Sequence, residues 1–152
     1  MVALGEIFIT GKTVNIQTKK LSSGLVRGQL NKTLDWVKDV EMSCFNVVPI
    51  LETEQAGLAI FRLTTDKKLY LKINVADIEP FENWTAINIQ MGGLFINGGV
   101  LMGIYTDRSE FGTVKIIPVD EAFINKLKHD PLYLNALSIE HPDGAIRGQI
   151  HN

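Results

Sequence analysis

A single cysteine among 152 residues, Cys44, rules out an internal disulfide and leaves the fold to its core. Basic charge is equally short: 15 Lys and Arg against 17 Asp and Glu give a net charge of −2. The cations are scattered, so the chain lacks the footprint of a nucleic-acid or anionic-membrane binder. No apolar run approaches the roughly 20 residues of a membrane span. The opening Met-Val-Ala-Leu-Gly-Glu has neither the basic nor the apolar region of a secretory signal. Histidine is sparse as well, with only His129, His141 and His151. Cys44 has no histidine nearby in sequence and reads as a core thiol. The stretch GGLFINGG at 92–99 precedes no helix and no phosphate-binding lysine, so it is a hairpin and not a P-loop. The acid pairs Glu52/Glu54 and Asp107/Glu110 read as solvated loops. Nothing resembles an assembled active site, so the expectation is a non-enzyme without cofactor or metal.

What the chain does have is alternation. Val40, Met42 and Cys44 alternate with Glu41, Ser43 and Phe45, and Leu69, Leu71, Ile73 and Val75 with Tyr70, Lys72 and Asn74. The same period runs through 57–63, 84–91, 100–105 and 114–117, and on 84–91 it places Thr85, Ile87, Ile89 and Met91 on one side. Turn signals lie between: Thr65-Asp66-Lys67, Asn97-Gly98-Gly99 and Asp143-Gly144, the last two favoured as two-residue hairpin turns. Evenly spaced short strands predict an all-β sandwich or barrel. One short helix is predicted over 120–128, with Asp120 as N-cap and Ala122, Phe123, Ile124 and Leu127 as its apolar stripe. The polar stretch Asn31 to Asp35 is the best linker, which divides the chain into a hairpin at 1–34 and a body at 35–152.

The hairpin is half of an internal repeat. Residues 14–30, VNIQTKKLSSGLVRGQL, align without gaps on residues 134–150, LNALSIEHPDGAIRGQI, at a constant spacing of 120 (147 against 27). Asn15/Asn135, Gly24/Gly144, Arg27/Arg147, Gly28/Gly148 and Gln29/Gln149 are identical. A repeat this short is one supersecondary element. A tight turn at Asp143-Gly144 would set Glu140 opposite Arg147, Ser138 opposite Gln149 and Ala136 opposite His151. In the first copy Lys20 faces Arg27 instead, so an ion pair is not the shared role of the two arginines. A fork of donors to backbone carbonyls across the sheet is one role, and ligand binding is the other. Gly28 and Gly148, inside strands, predict a bulge or a close backbone approach.

The closing segment YLNALSIEHPDGAIRGQI (133–150) resembles the signature of the chordin-type (CHRD) domain family, Tyr-Val-Asn-Val-His-Thr followed by Pro-x-Gly-x-Ile-Arg-Gly-Gln-Ile. Three more segments follow in the family's order: VEMSCFNVVPILETEQAGLAIFRL (40–63), LYLKINVADI (69–78) and TAINIQMGGLFINGGVLMGIY (85–105). The resemblance covers roughly residues 38–152, and residues 14–30 are similar to a second copy of the closing hairpin, as in the tail of a preceding repeat. It implies an antiparallel Greek-key β-sandwich or barrel with a topology compared to copper/zinc superoxide dismutase, and an extracellular or surface setting. This chain departs from the family at its histidines, which are matched by Asn88, Gln90 and Leu137, and by Gln17 in the first copy. Such residues are poor metal ligands or none. Asn88 and Gln90 share a strand face with Trp84, either as a solvated face or as a small recognition surface, to which Trp36 is a further candidate. The function expected is a non-catalytic structural or interaction module that self-associates, with the N-terminal hairpin as the oligomer contact, or binds a protein or surface partner. A dismutase-like metalloenzyme and a small-ligand or carbohydrate binder are the alternatives.

Overall fold

The computed structural model describes residues 12–16, 26–30, 33–76 and 83–151. Among the described residues its body is an all-β fold, one antiparallel sheet of eight strands with a single α-helix. In chain order the N-terminal hairpin supplies β1 (Lys12–Ile16) and β2 (Val26–Leu30), which pair with each other. The body then runs β3 (Leu34–Ser43), β4 (Ala56–Thr64), β5 (Lys68–Ala76), β6 (Trp84–Met91), β7 (Val100–Tyr105), β8 (Val114–Pro118), α1 (Glu121–His129), β9 (Leu132–Ser138) and β10 (Ile146–His151). Spatial order is β7-β6-β9-β10-β3-β4-β5-β8. β3 starts at Leu34, and the Thr33 carbonyl accepts from Thr65 N at 3.0 Å.

The period-2 pattern becomes the core. Val40 lies opposite Ala59, which lies opposite Ile73; Phe61 lies opposite Leu71, and Leu63 opposite Leu69, and all are buried. Ile87, Ile89, Leu134, Ala136, Ile146 and Ile150 complete that face from the other half of the sheet. A fully buried Leu or Ile of this kind contributes about 1.5–3 kcal/mol by leaving water. Tyr105 draws the two ends of the sheet together, its buried hydroxyl accepting from Ile73 N (3.2 Å) and donating to Thr113 O (2.5 Å). α1 has Asp120 as its N-cap, with Oδ1 accepting from Phe123 N at 2.8 Å, and packs Ile124 and Leu127 into the core. Ala122, expected on the apolar stripe, is exposed. Cys44 sits one residue past β3 in a short 3-10 turn, buried, its thiol directed at Thr53 O (2.9 Å). No helix among the described residues is long and apolar enough to cross a membrane.

Three local expectations are corrected. Asp143-Gly144 is not a two-residue turn: Ile146 pairs with Ala136, Arg147 with Asn135 and Gln149 with Tyr133, while His151 faces Leu132. The tight-turn register would have set Leu134 and Ala136 on the face of Arg147 and Gln149, since a register slip by an odd number exchanges faces. Burial of one face decides, and 139–145 becomes a longer loop closed by Ser138 N to His141 O and Ala145 N to Ala136 O. Glu140 consequently pairs with Asn83, accepting from its Nδ2 (2.6 Å) and its backbone N (3.0 Å), and not with Arg147. Asn97-Gly98-Gly99 is likewise no tight turn, because β6 and β7 are joined by a loop over 92–99 closed by Met91 N to Gly99 O. Finally, β6 carries a bulge between Trp84 and Ala86, which moves Trp84 to the buried face with Ile87 and Ile89 and leaves Thr85 exposed, while Met91, the last residue of β6, is exposed where the strand ends.

Candidate functional site

Arg147 organises the outer side of β9 and β10. Its neighbours Gly148 and Ile146 face the core, so alternation turns Arg147 and Gln149 the other way, beside Tyr133 and Asn135. The arginine is 1% exposed, and its guanidinium lies over the Tyr133 ring at 3.5 Å. Burial lowers its pKa from the ordinary value, yet an arginine keeps its charge. A buried cation needs acceptors. Arg147 donates to the Gly93 carbonyl (2.6 Å), the Ile96 carbonyl (3.1 Å) and Asn97 Oδ1 (3.2 Å). Gln149 Nε2 donates to the carbonyls of Gly92 (2.9 Å) and Leu132 (3.1 Å), and the Tyr133 hydroxyl accepts from Gly98 N (3.0 Å). Loop 92–99 is thereby tied along its length to β9 and β10.

A second loop is held to the first. Asn97 Nδ2 donates to Val48 O (2.9 Å), and Asn46 Nδ2 donates to the carbonyl of Arg147 itself (3.2 Å). What these tethers display is apolar: Leu94 is 48% exposed, Phe95 65% and Ile96 61%, and Phe45 and Ile50 on the second loop are also exposed. Phe95 stands at φ +62°, a conformation a bulky residue seldom takes without outside constraint.

Beside this surface lies a groove of about 500 Å³. Asn88, Gln90, Asn97, Tyr133, Leu137 and Asp143 line it. Asn88 stands opposite Asn135 across the β6–β9 ladder, and Gln90 opposite Tyr133. Asn135 is buried, its Nδ2 donating to Gln90 Oε1 (3.3 Å) and Asp143 O (2.9 Å), which fixes the Gln90 amide. Trp84 is not part of this groove. Its burial by the β6 bulge places it against Phe111 (6.2 Å between rings), beside a separate hollow with Asn74 and Arg108. Trp36 packs edge-on against Phe61 (6.0 Å).

The two hairpin glycines meet different demands. A Cβ on Gly148 would lie 2.7–2.8 Å from Val40 Cγ1, Glu41 O and Met42 Cγ, so β10 approaches β3 as closely as a bare Cα allows. Gly144 has φ +138° and sits against Asn135 Oδ1, 2.3 Å from where its Cβ would be. Of the first copy, Asn15, Arg27, Gly28 and Gln29 fall on β1 and β2, where Asn15 pairs with Arg27, and Gly24 lies outside the described residues.

A family model described as the CHRD domain matches residues 39–150. The chain belongs to the CHRD family. No curated protein and no solved structure matches it. The three positions where the CHRD pattern carries histidine, Asn88, Gln90 and Leu137, come together in the one groove. Two amides and an alkyl side chain do not suit zinc or copper. Among the described residues no three His, Cys, Asp or Glu side chains gather as a metal site. His129 bonds Asn125 O at its own helix end, His141 lies in the 139–145 loop and His151 on β10. Asp107 and Glu110 are occupied locally: Asp107 accepts from Ser109, and Glu110 accepts from Lys115 and from Thr106 N. Both carboxyls are held below their usual range, Asp107 by the Ser109 hydroxyl and Glu110 by the Lys115 ammonium.

The apolar surface on 92–99 escaped the sequence reading, which saw only its glycines. A signal was present: three large apolar residues between two glycine pairs, where a hairpin loop is ordinarily polar.

Proposed function

We propose that this CHRD domain is a non-catalytic interaction module that binds a protein partner through loops 44–50 and 92–99. One observation carries the reading: Leu94, Phe95 and Ile96 are exposed in sequence while a buried arginine and a half-buried glutamine fix the backbone that bears them. Exposed apolar side chains on a tethered backbone lose little further entropy on binding, which is how preorganisation adds affinity. The strained φ of Phe95 agrees with a conformation imposed for display. Side chains presented from a loop suit a partner with its own apolar pocket better than a small molecule, which is usually enclosed. Asn88 and Gln90, half-buried alongside, supply a polar rim. An extracellular or surface setting belongs to the same reading and comes from the family.

A displayed-peptide selection on the immobilised chain, counter-selected with the Phe95→Asn variant, tests this. The expected result is a set of ligands that lose roughly tenfold or more in affinity on the variant, a loss of about 1.4 kcal/mol. Ligands that bind both proteins equally, or no enriched ligand at all, would sink the reading.

A further inference from the structure

The two hairpins share a register as well as a sequence. β1 and β2 pair with Asn15 opposite Arg27, Val14 opposite Gly28 and Ile16 opposite Val26. β9 and β10 pair with Asn135 opposite Arg147, Leu134 opposite Gly148 and Ala136 opposite Ile146. Equivalent residues thus occupy equal positions in the two ladders.

The five identities are the informative part. In the C-terminal copy each of them answers to something beyond strand pairing. Gly148 lets β10 approach β3, and Arg147 and Gln149 hold loop 92–99. Asn135 bonds Gln90 of β6 and packs against Gly144. A free-standing hairpin is weakened by a glycine within a strand and has no use for that set of donors. The first copy nevertheless keeps Asn15, Gly24, Arg27, Gly28 and Gln29. It also keeps apolar residues, Val14, Ile16, Val26 and Leu30, at the positions where the body buries Leu134, Ala136, Ile146 and Ile150. The sequences of β1 and β2 therefore carry the features that fit a strand pair between β6 and β3.

We propose that β1–β2 takes the place of β9–β10 between β6 and β3 of a second copy of this chain, forming a hairpin-exchanged dimer. The two occupants are not equal. Lys12 and Thr13 stand where the body buries Leu132 and Tyr133, so the first copy brings a charge to an apolar position and no ring for its arginine. The tethered C-terminal hairpin also has the higher effective concentration. The closed monomer is accordingly the ground state, and exchange grows with concentration or when β10 is impaired.

The test is light-scattering mass after refolding the full chain from denaturant over a concentration series. Wild type is expected to give a dimer fraction that rises with concentration and is lost in Gly28→Val, whose monomer is as stable as wild type. Gly148→Val, which drives a side chain into Val40 and Met42, is expected to shift the folded protein to dimer, and the double variant Gly28→Val/Gly148→Val to lose it. Monomer at every concentration, or a dimer fraction indifferent to Gly28, overturns the proposal. The readout here is mass and its discriminating residues are Gly28 and Gly148, whereas the selection reads peptide affinity at Phe95, so this experiment and the peptide selection fail independently.

Discussion

Replacing Arg147 by Met keeps the long apolar stem against Tyr133 and removes the fork that holds loop 92–99. The variant gives up two charge-assisted hydrogen bonds to backbone carbonyls, those of Gly93 and Ile96, one to Asn97 Oδ1 and a long one to Gln149 Oε1 (3.4 Å). Hydrogen bonds to a charged group are worth about 1.5–3 kcal/mol each. Against this, methionine relieves the desolvation of a buried cation and retains contact with the ring, and Ile96 lies at the surface where water replaces part of the loss. A net destabilisation of about 3 kcal/mol follows, or roughly 6–12 °C in Tm for a domain of this size. Arg147→Lys keeps the charge without the fork and should lose about half as much. Urea denaturation gives the stability, and amide exchange at Gly92, Ile96 and Gly98 reports whether the loop has come loose. A loss below about 0.5 kcal/mol, the range of an uninvolved surface site, with unchanged exchange in 92–99 would refute the assignment of Arg147 as the anchor.

Other outcomes follow from single geometric facts. Gly144→Ala meets both a left-handed φ of +138° and Asn135 Oδ1, and should cost about 2 kcal/mol or more in a denaturant titration. Phe95→Asn should leave the domain as stable as wild type or raise its stability by up to about 1 kcal/mol, because Asn tolerates φ +62°; a fall in Tm would contradict the strain argument. The Asn83 amide, and then the Asn83 backbone N–H, hold the Glu140 carboxyl below its usual range. Its folded pKa is thus depressed, so its contribution is complete above about pH 4.3, the ordinary glutamate value, and is lost as pH falls through the folded value. Stability measured from pH 5 downward should therefore decline less steeply in Glu140→Gln than in wild type.

The strands, the helix with its Asp120 cap and the family were legible in the sequence, because each rests on local periodicity, capping chemistry or a gapless motif. The failures come from contacts distant in sequence. Asp143-Gly144 is a favourable turn pair in isolation, yet its register is set by which face of β9 and β10 must be buried, and Asn97-Gly98 is drawn instead into the 92–99 loop held by Arg147, Gln149 and Tyr133. The bulge beside Trp84 likewise reversed a face that strict alternation had assigned, and parted Trp84 from Asn88 and Gln90. Sequence by itself determined that this is an all-β CHRD chain. Only the tertiary structure decided what the Arg-Gly-Gln unit does, since its partners at Gly92, Gly93, Ile96 and Asn97 lie some fifty positions away along the chain. A buried guanidinium must find acceptors wherever the fold brings them, and that choice is made by packing across the sheet rather than by neighbours in sequence.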